Sequence, residues 1–165
     1  MRFFLLFLPV ILCSCTRTTY YIVRHAEKEG GTTMNAATIT TTDVPLSLAG
    51  KERAELLRNR LQQQRIGHIY ATGTIRAQAT AKPLSDATKV AVTTYKGIDS
   101  AFVKGLKELK GCVLVVGHSN TVDDLVNGLM GKHVISDLPD SAYGDLFTVR
   151  KRGQRYSFTR DHFGN

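Results

Sequence analysis

Two apolar, β-branched runs in this sequence end on the same side chain: Thr18 to Val23 runs into Arg24-His25, and Cys112 to Val116 runs into Gly117-His118. Short runs of this kind, bounded by charge or glycine, predict strands buried on both faces, and such strands need helices packed on either side of their sheet. Ligands of open α/β sheets gather outside the carboxyl ends of the strands, so the two histidines are expected to share one crevice. The expected fold is a three-layer α/β/α sandwich with a mostly parallel central sheet. A length of 165 residues, 42% of them hydrophobic, supplies one core and not two, so residues 15–165 are expected to form a single domain.

The remaining periodicities fill in the alternation. Pro45 and Ser47 open a helix in which Ala54, Leu57 and Leu61 recur at helical spacing, with Ser47 as N-cap and an end near Gly67. His68 to Thr72 reads as a second strand, and Thr74 as the cap of a helix from Ile75 that Pro83 is expected to break or kink. Lys89 to Tyr95 alternates as a strand does. Ser100 to Leu109 then places Phe102, Val103, Leu106 and Leu109 on one helical face, and a further helix is expected from Asn120 to Leu129. Asp145 to Arg150 and Tyr156 to Arg160 read as a closing antiparallel hairpin around Gly153, while threonine and glycine mark Gly30 to Asp43 as a loop.

The first residues read as a separate unit. Arg2 precedes the apolar stretch Phe3 to Leu12, about half the ~20 residues that a membrane span requires. Cys13, Ser14 and Cys15 follow it. The stretch Leu12-Cys13-Ser14-Cys15 resembles a bacterial lipobox, which implies a signal peptide over residues 1–14, acylation of Cys15 and an anchored position in the cell envelope. Cys112 would then be the remaining thiol, at the head of a buried run, where a cysteine behaves as a small hydrophobe.

An excess of 22 lysines and arginines over 14 acidic residues gives a net charge of +8, which favours anionic partners. The basic residues are scattered, with Arg150, Lys151, Arg152 and Arg155 the tightest group, and no nucleic-acid-reading motif accompanies them. Histidines at 25, 68, 118, 133 and 162 lack the local spacing of a zinc site, so neither a metal nor another cofactor is expected. Arg76 falls in the first turn of the helix after His68 to Thr72, where the helix terminus already favours an anion. Two guanidiniums, a helix N-terminus and two imidazoles suit a doubly charged tetrahedral anion, and the planar arginine fork suits phosphate above all.

Four ordered segments carry a resemblance to the histidine phosphatase superfamily, whose fold is that of phosphoglycerate mutase. Tyr21-Ile22-Val23-Arg24-His25-Ala26-Glu27 resembles its strand and Arg-His-Gly motif, and Pro45-Leu46-Ser47-Leu48-Ala49-Gly50 its Pro-Leu-Thr-x-x-Gly helix start. Arg76-Ala77-Gln78-Ala79-Thr80-Ala81 is similar to Arg-Ala-x-x-Thr-Ala, and Val115-Val116-Gly117-His118 supplies the fourth. The resemblance implies that His25 is a nucleophile forming a phosphohistidine, with Arg24, Arg76 and His118 around the phosphoryl oxygens; Ser119, next to His118, is expected from its position to line the same pocket. Ala26 stands where the family has glycine, and the middle segment that carries its glutamate proton donor has no clear counterpart. Glu27, close to the nucleophile in sequence, and Asp99, just beyond a strand end, are the candidate acids.

The expected activity is hydrolysis of a phosphorylated small molecule or of a phosphoprotein, protein phosphohistidine included. The alternatives are a non-catalytic phosphoanion-binding lipoprotein and a phosphoglycerate mutase-type phosphotransferase.

Overall fold

The computed structural model describes residues 17–30 and 43–164. The expected signal peptide, the lipobox Cys15 and most of the loop to Asp43 lie outside them. Six strands form one sheet in the order β3-β2-β4-β1-β5-β6. β1 (Arg17–Arg24) pairs in parallel with β4 (Gly111–Gly117), which pairs in parallel with β2 (Ile66–Thr72), and β2 carries β3 (Val92–Tyr95) on its outer side. β5 (Asp145–Arg152) runs antiparallel to β1, and β6 (Arg155–His162) completes the expected hairpin. The sheet is therefore parallel over four strands and antiparallel at one flank.

Alternation along the two central strands divides the core into two layers, as the pleat dictates. Tyr21, Val23, Leu114 and Val116 face α1 (Leu48–Leu61) and α2 (Ile75–Thr88), packing on Leu57, Leu61, Ala77, Ala81 and Leu84. Tyr20, Ile22, Val113 and Val115 face the other way, onto α3 (Ser100–Glu108) and α4 (Val122–Met130) through Leu106, Leu125, Val126 and Leu129. These two central strands, β1 and β4, are covered on both faces. The three-layer sandwich is thus the observed architecture.

Local differences have local causes. α1 ends at Leu61, short of Gly67, because the polar run Gln62 to Arg65 has nothing to bury and β2 already begins at Ile66. Ser47 caps α1 as expected, its hydroxyl accepting from Gly50 N at 3.1 Å. α2 continues unbroken through Pro83, since burial of Ala77, Thr80, Ala81 and Leu84 outweighs one missing backbone hydrogen bond. β3 is confined to four residues. α4 starts at Val122 rather than Asn120, and Thr121 turns its hydroxyl back to accept from His118 N at 2.9 Å.

Candidate active site

The parallel pairing of β1, β4 and β2 in matched register, Arg24 with Gly117 and Ala71 with Val116, brings the carboxyl ends of all three strands to one edge. His25 continues the ladder for one residue, its N–H donating to Gly117 O at 2.8 Å. His118 leaves β4 beside it, and the two imidazoles meet edge to face with centroids 5.2 Å apart. Arg76 reaches the same spot from the first turn of α2.

The hydrogen bonds of His25 assign its tautomer. Nδ1 lies 2.7 Å from the carbonyl oxygen of Ala26, which only accepts, so Nδ1 carries the proton. Nε2 therefore holds the lone pair, and Arg76 Nε donates to it at 3.1 Å. The ring is fixed from behind as well: Ala26 N donates to Thr80 Oγ1 at 3.0 Å, and that hydroxyl donates to Arg76 O at 2.7 Å. His118 Nε2 lies 2.8 Å from Thr72 Oγ1 at the end of β2.

Burial, aided by the charges of Arg76 and Arg24 and by His118, lowers the pKa of His25 to about 4, although the Ala26 carbonyl opposes the shift. His118 is lowered too, chiefly by burial and then by Arg76 and Arg24, with Asp43 pulling the other way. Both rings are thus neutral near pH 7, and His25 presents a free electron pair. Because the unfolded chain takes up this proton first, near the ordinary value of 6.5, the stability that neutral His25 contributes is complete above that pH. It is lost as pH falls towards 4. An NMR titration is expected to leave the His25 ring signal unmoved from pH 8 to 5, whereas a midpoint near 6.5 would show that the ring is solvated.

Arg24 is built into the floor of the site. Its Nη1 donates to the carbonyls of Pro139, Asp140 and Ala142 at 3.1, 2.9 and 3.3 Å, and its guanidinium lies 4.3 Å from the centroid of the Tyr143 ring. Arg24 Nε remains a buried donor with no partner among the described residues. An orphaned donor of this kind is costly unless a ligand completes it. Asp43 is a group that the sequence pattern did not single out. Its carboxylate accepts from Ile75 N at 3.0 and 2.9 Å and from Arg76 Nη1 at 3.3 Å, capping α2 where the Thr74 side chain does not. An aspartate two residues before Pro45 was the available signal.

Both candidate acids are engaged by partners other than the histidines. Glu27 turns from the histidines to Arg53, whose Nε donates to its two carboxylate oxygens at 2.8 and 2.9 Å. Burial raises the Glu27 carboxyl, but the hydrogen bonds and charge of Arg53 outweigh it and hold the group below its ordinary value. A carboxylate so held does not donate a proton at neutral pH. Asp99 caps α3, accepting from Phe102 N at 2.7 Å, and borders a groove with Lys104 and Lys107 rather than the histidines. Ser119 follows His118 in the turn before α4, where its carbonyl accepts from Leu138 N at 3.4 Å. Burial raises the thiol of Cys112, on β4, as suits a core residue.

Comparison with known proteins agrees with this fold. A search of curated proteins finds no match to the sequence. Among solved structures, a protein assigned as the phosphohistidine phosphatase SixA from Agrobacterium tumefaciens superposes with a TM-score of 0.61 at 18% identity, covering 88% of this chain and 97% of the other. Phosphoglycerate mutase from Bacillus anthracis str. Sterne gives 0.63 at 16% identity, with 89% and 93% covered. A phosphoserine phosphatase from Entamoeba histolytica gives 0.60 at 13%, with 88% and 96% covered. At such identities the likeness is one of fold. The sequence itself matches the family model "Histidine phosphatase superfamily (branch 1)" over residues 20–102, a span that holds the second half of β1 with Arg24-His25, the α1 start and Arg76. With half the chain matched and the two strand-end histidines brought together on the expected sheet, this chain belongs to the histidine phosphatase superfamily.

Proposed function

We propose that this chain is a phosphatase in which Nε2 of His25 attacks phosphorus as the P–O bond of a monoester, or the P–N bond of a protein phosphohistidine, breaks. The leaving group departs and takes its proton from solvent, and water then takes the phosphoryl group from His25 as phosphate. The observation that supports this most directly is the fixed tautomer: the Ala26 carbonyl holds the proton on Nδ1, and the free pair on Nε2 faces Arg76 beside His118. A neutral imidazole is the form that can attack phosphorus, and the covalent intermediate divides one displacement into two easier ones. Arg76 moves from Nε2 to the phosphoryl oxygens, and Arg24 Nε and His118 complete the donors. Asp43 balances Arg76 and the α2 terminus while the pocket is empty, and the incoming anion displaces it.

Charge stabilisation comes from arginines in this reading, the task that magnesium performs in kinases. Hydrolysis of an aryl phosphate and of a phosphohistidine peptide is therefore expected to survive EDTA and to be inhibited competitively by vanadate. Loss with EDTA that one divalent ion restores would overturn the metal-free mechanism. Binding of vanadate without hydrolysis of any ester would support the non-catalytic phosphoanion-binding reading, and transfer to a second hydroxyl in preference to water the mutase reading.

We further place the chain in the cell envelope, anchored through Cys15. The support is the apolar run Phe3 to Leu12 with the small residues after it. Among the described residues no helix is long and apolar enough to cross a membrane.

A further inference from the structure

The end of the sheet opposite the histidines carries an arrangement that the phosphatase reading does not use. Arg17 on β1 is paired directly with Arg152 on β5, and Arg152 directly with Arg155 on β6, so three arginines stand in one row across three adjacent strands. Neighbouring strands lie only about 4.8 Å apart, and like charges placed directly opposite destabilise a sheet. All three are exposed, and none pairs with a carboxylate among the described residues. They line a groove of about 540 Å³ together with Arg150.

The surroundings extend the same sign. Exposed Arg65 immediately precedes β2 and exposed Lys110 immediately precedes β4, so the starts of these parallel strands are basic too. Glu108, at the last residue of α3, is the acidic residue closest to them in sequence. The opposite edge holds Asp43, Glu27 and Asp140 around the site. The molecule is thus polar in charge along its strands, positive at the amino ends and mixed at the carboxyl ends.

We propose that the row of Arg17, Arg152 and Arg155, with Arg65 and Lys110 beside it, docks on anionic lipid headgroups and turns the phosphate pocket away from the membrane. The choice of a lipid surface rests on the anchor reading: Cys15 lies two residues before Arg17, a reach of at most about 7 Å, so a chain acylated there lays this end of the sheet against the bilayer. Juxtamembrane basic residues add to a lipid anchor in the way that stable attachment requires. The eight residues of β1 then hold His25 about 26 Å from the surface, open to substrates that diffuse in the surrounding medium.

The test uses the full chain, purified from membranes in detergent and partitioned onto vesicles of phosphatidylcholine alone or mixed with phosphatidylglycerol. The ratio of the two partition constants isolates charge, because any lipid anchor contributes equally to both. Removal of the row in R17Q/R152Q/R155Q is expected to lower that ratio about 10²-fold, at roughly fivefold per arginine. The control K28Q/K51Q/K96Q, which removes the same charge at the opposite end of the sheet, is expected to lower it less than about threefold. Thermal unfolding of each variant shows that it is folded. A ratio that the arginine variant leaves unchanged, or that the control lowers equally, overturns the proposal. So does single-stranded RNA that binds the wild type more tightly than anionic vesicles and depends on the same three arginines. Cys15→Ser tests the anchor separately: it lowers binding to neutral vesicles if the anchor reading holds, and the ratio still decides the surface if it does not.

Discussion

Replacing His25 with alanine is expected to lower hydrolysis of an aryl phosphate by about 10⁴-fold or more and to remove the acid-labile phosphoenzyme altogether. The expectation rests on geometry. His25 is the imidazole whose Nδ1 is bound to a carbonyl, whereas His118 uses its Nε2 on Thr72, so the neighbouring ring is not poised to substitute. Arg76→Ala is expected to act differently, costing roughly 10²- to 10³-fold, as loss of one donor to a developing oxyanion does. It frees Nε2 of the one donor that contacts it among the described residues while leaving the electron pair in place, so phosphoenzyme still forms, slowly. Labelled substrate, acid-sensitive trapping and localisation of the label by mass spectrometry separate the two. Label on His118, or full activity in His25→Ala, would sink the assignment.

The second large effect concerns Gly50 at the start of α1. A Cβ there would run into the backbone carbonyl of Glu27, which cannot yield because it is held on several sides. Ser47 N and Ser47 Oγ both donate to that carbonyl, at 2.9 and 3.3 Å, and the Glu27 side chain is clasped by Arg53. Gly50→Ala is therefore expected to cost about 3 kcal/mol, lowering the melting temperature by about 6–12 °C. Activity is expected to fall with it, since Glu27 lies two residues beyond His25. Gly105→Ala is the contrasting case: a Cβ meets nothing within 4 Å in the middle of α3, and removing a helical glycine is expected to stabilise by about 0.5–1 kcal/mol. Equal melting temperatures for the two variants would contradict the close approach of α1 to the His25 loop.

These residues also mark what could be seen in the sequence. The strands β1 and β4 were legible because a strand covered on both faces leaves an uninterrupted apolar run, and their terminal histidines followed from where such sheets bind ligands. The helix start at Ser47 was legible as a cap and Gly50 as part of the motif, but the physical reason for that glycine was not, because it arises from Glu27, on a chain segment more than twenty residues away. Arg24 shows the same boundary. Its position was evident, yet its three carbonyl partners and Tyr143 come from a loop without periodicity, more than a hundred residues on. Glu27 was the misleading case: proximity in sequence suggested a role beside His25, whereas successive residues of an extended chain point in different directions, and Arg53 captured it. Asp43 was passed over because it ends a threonine- and glycine-rich stretch, and its partners Ile75 and Arg76 lie on another element.

The strand order has a bearing on when this protein can fold. β1 is among the first described segments to be synthesised, yet its neighbours on either side are β4 and β5, with Thr18 meeting Gly111 and Arg17 meeting Arg152. Its backbone donors and acceptors stay unpaired until most of the polypeptide exists, and both core layers stay open with them, since Tyr20 and Tyr21 belong to opposite faces. Contacts this distant along the chain close late and slow the approach to the native state. A nascent polypeptide with such an order keeps its first strand unpaired for longer than one that pairs its strands as they emerge.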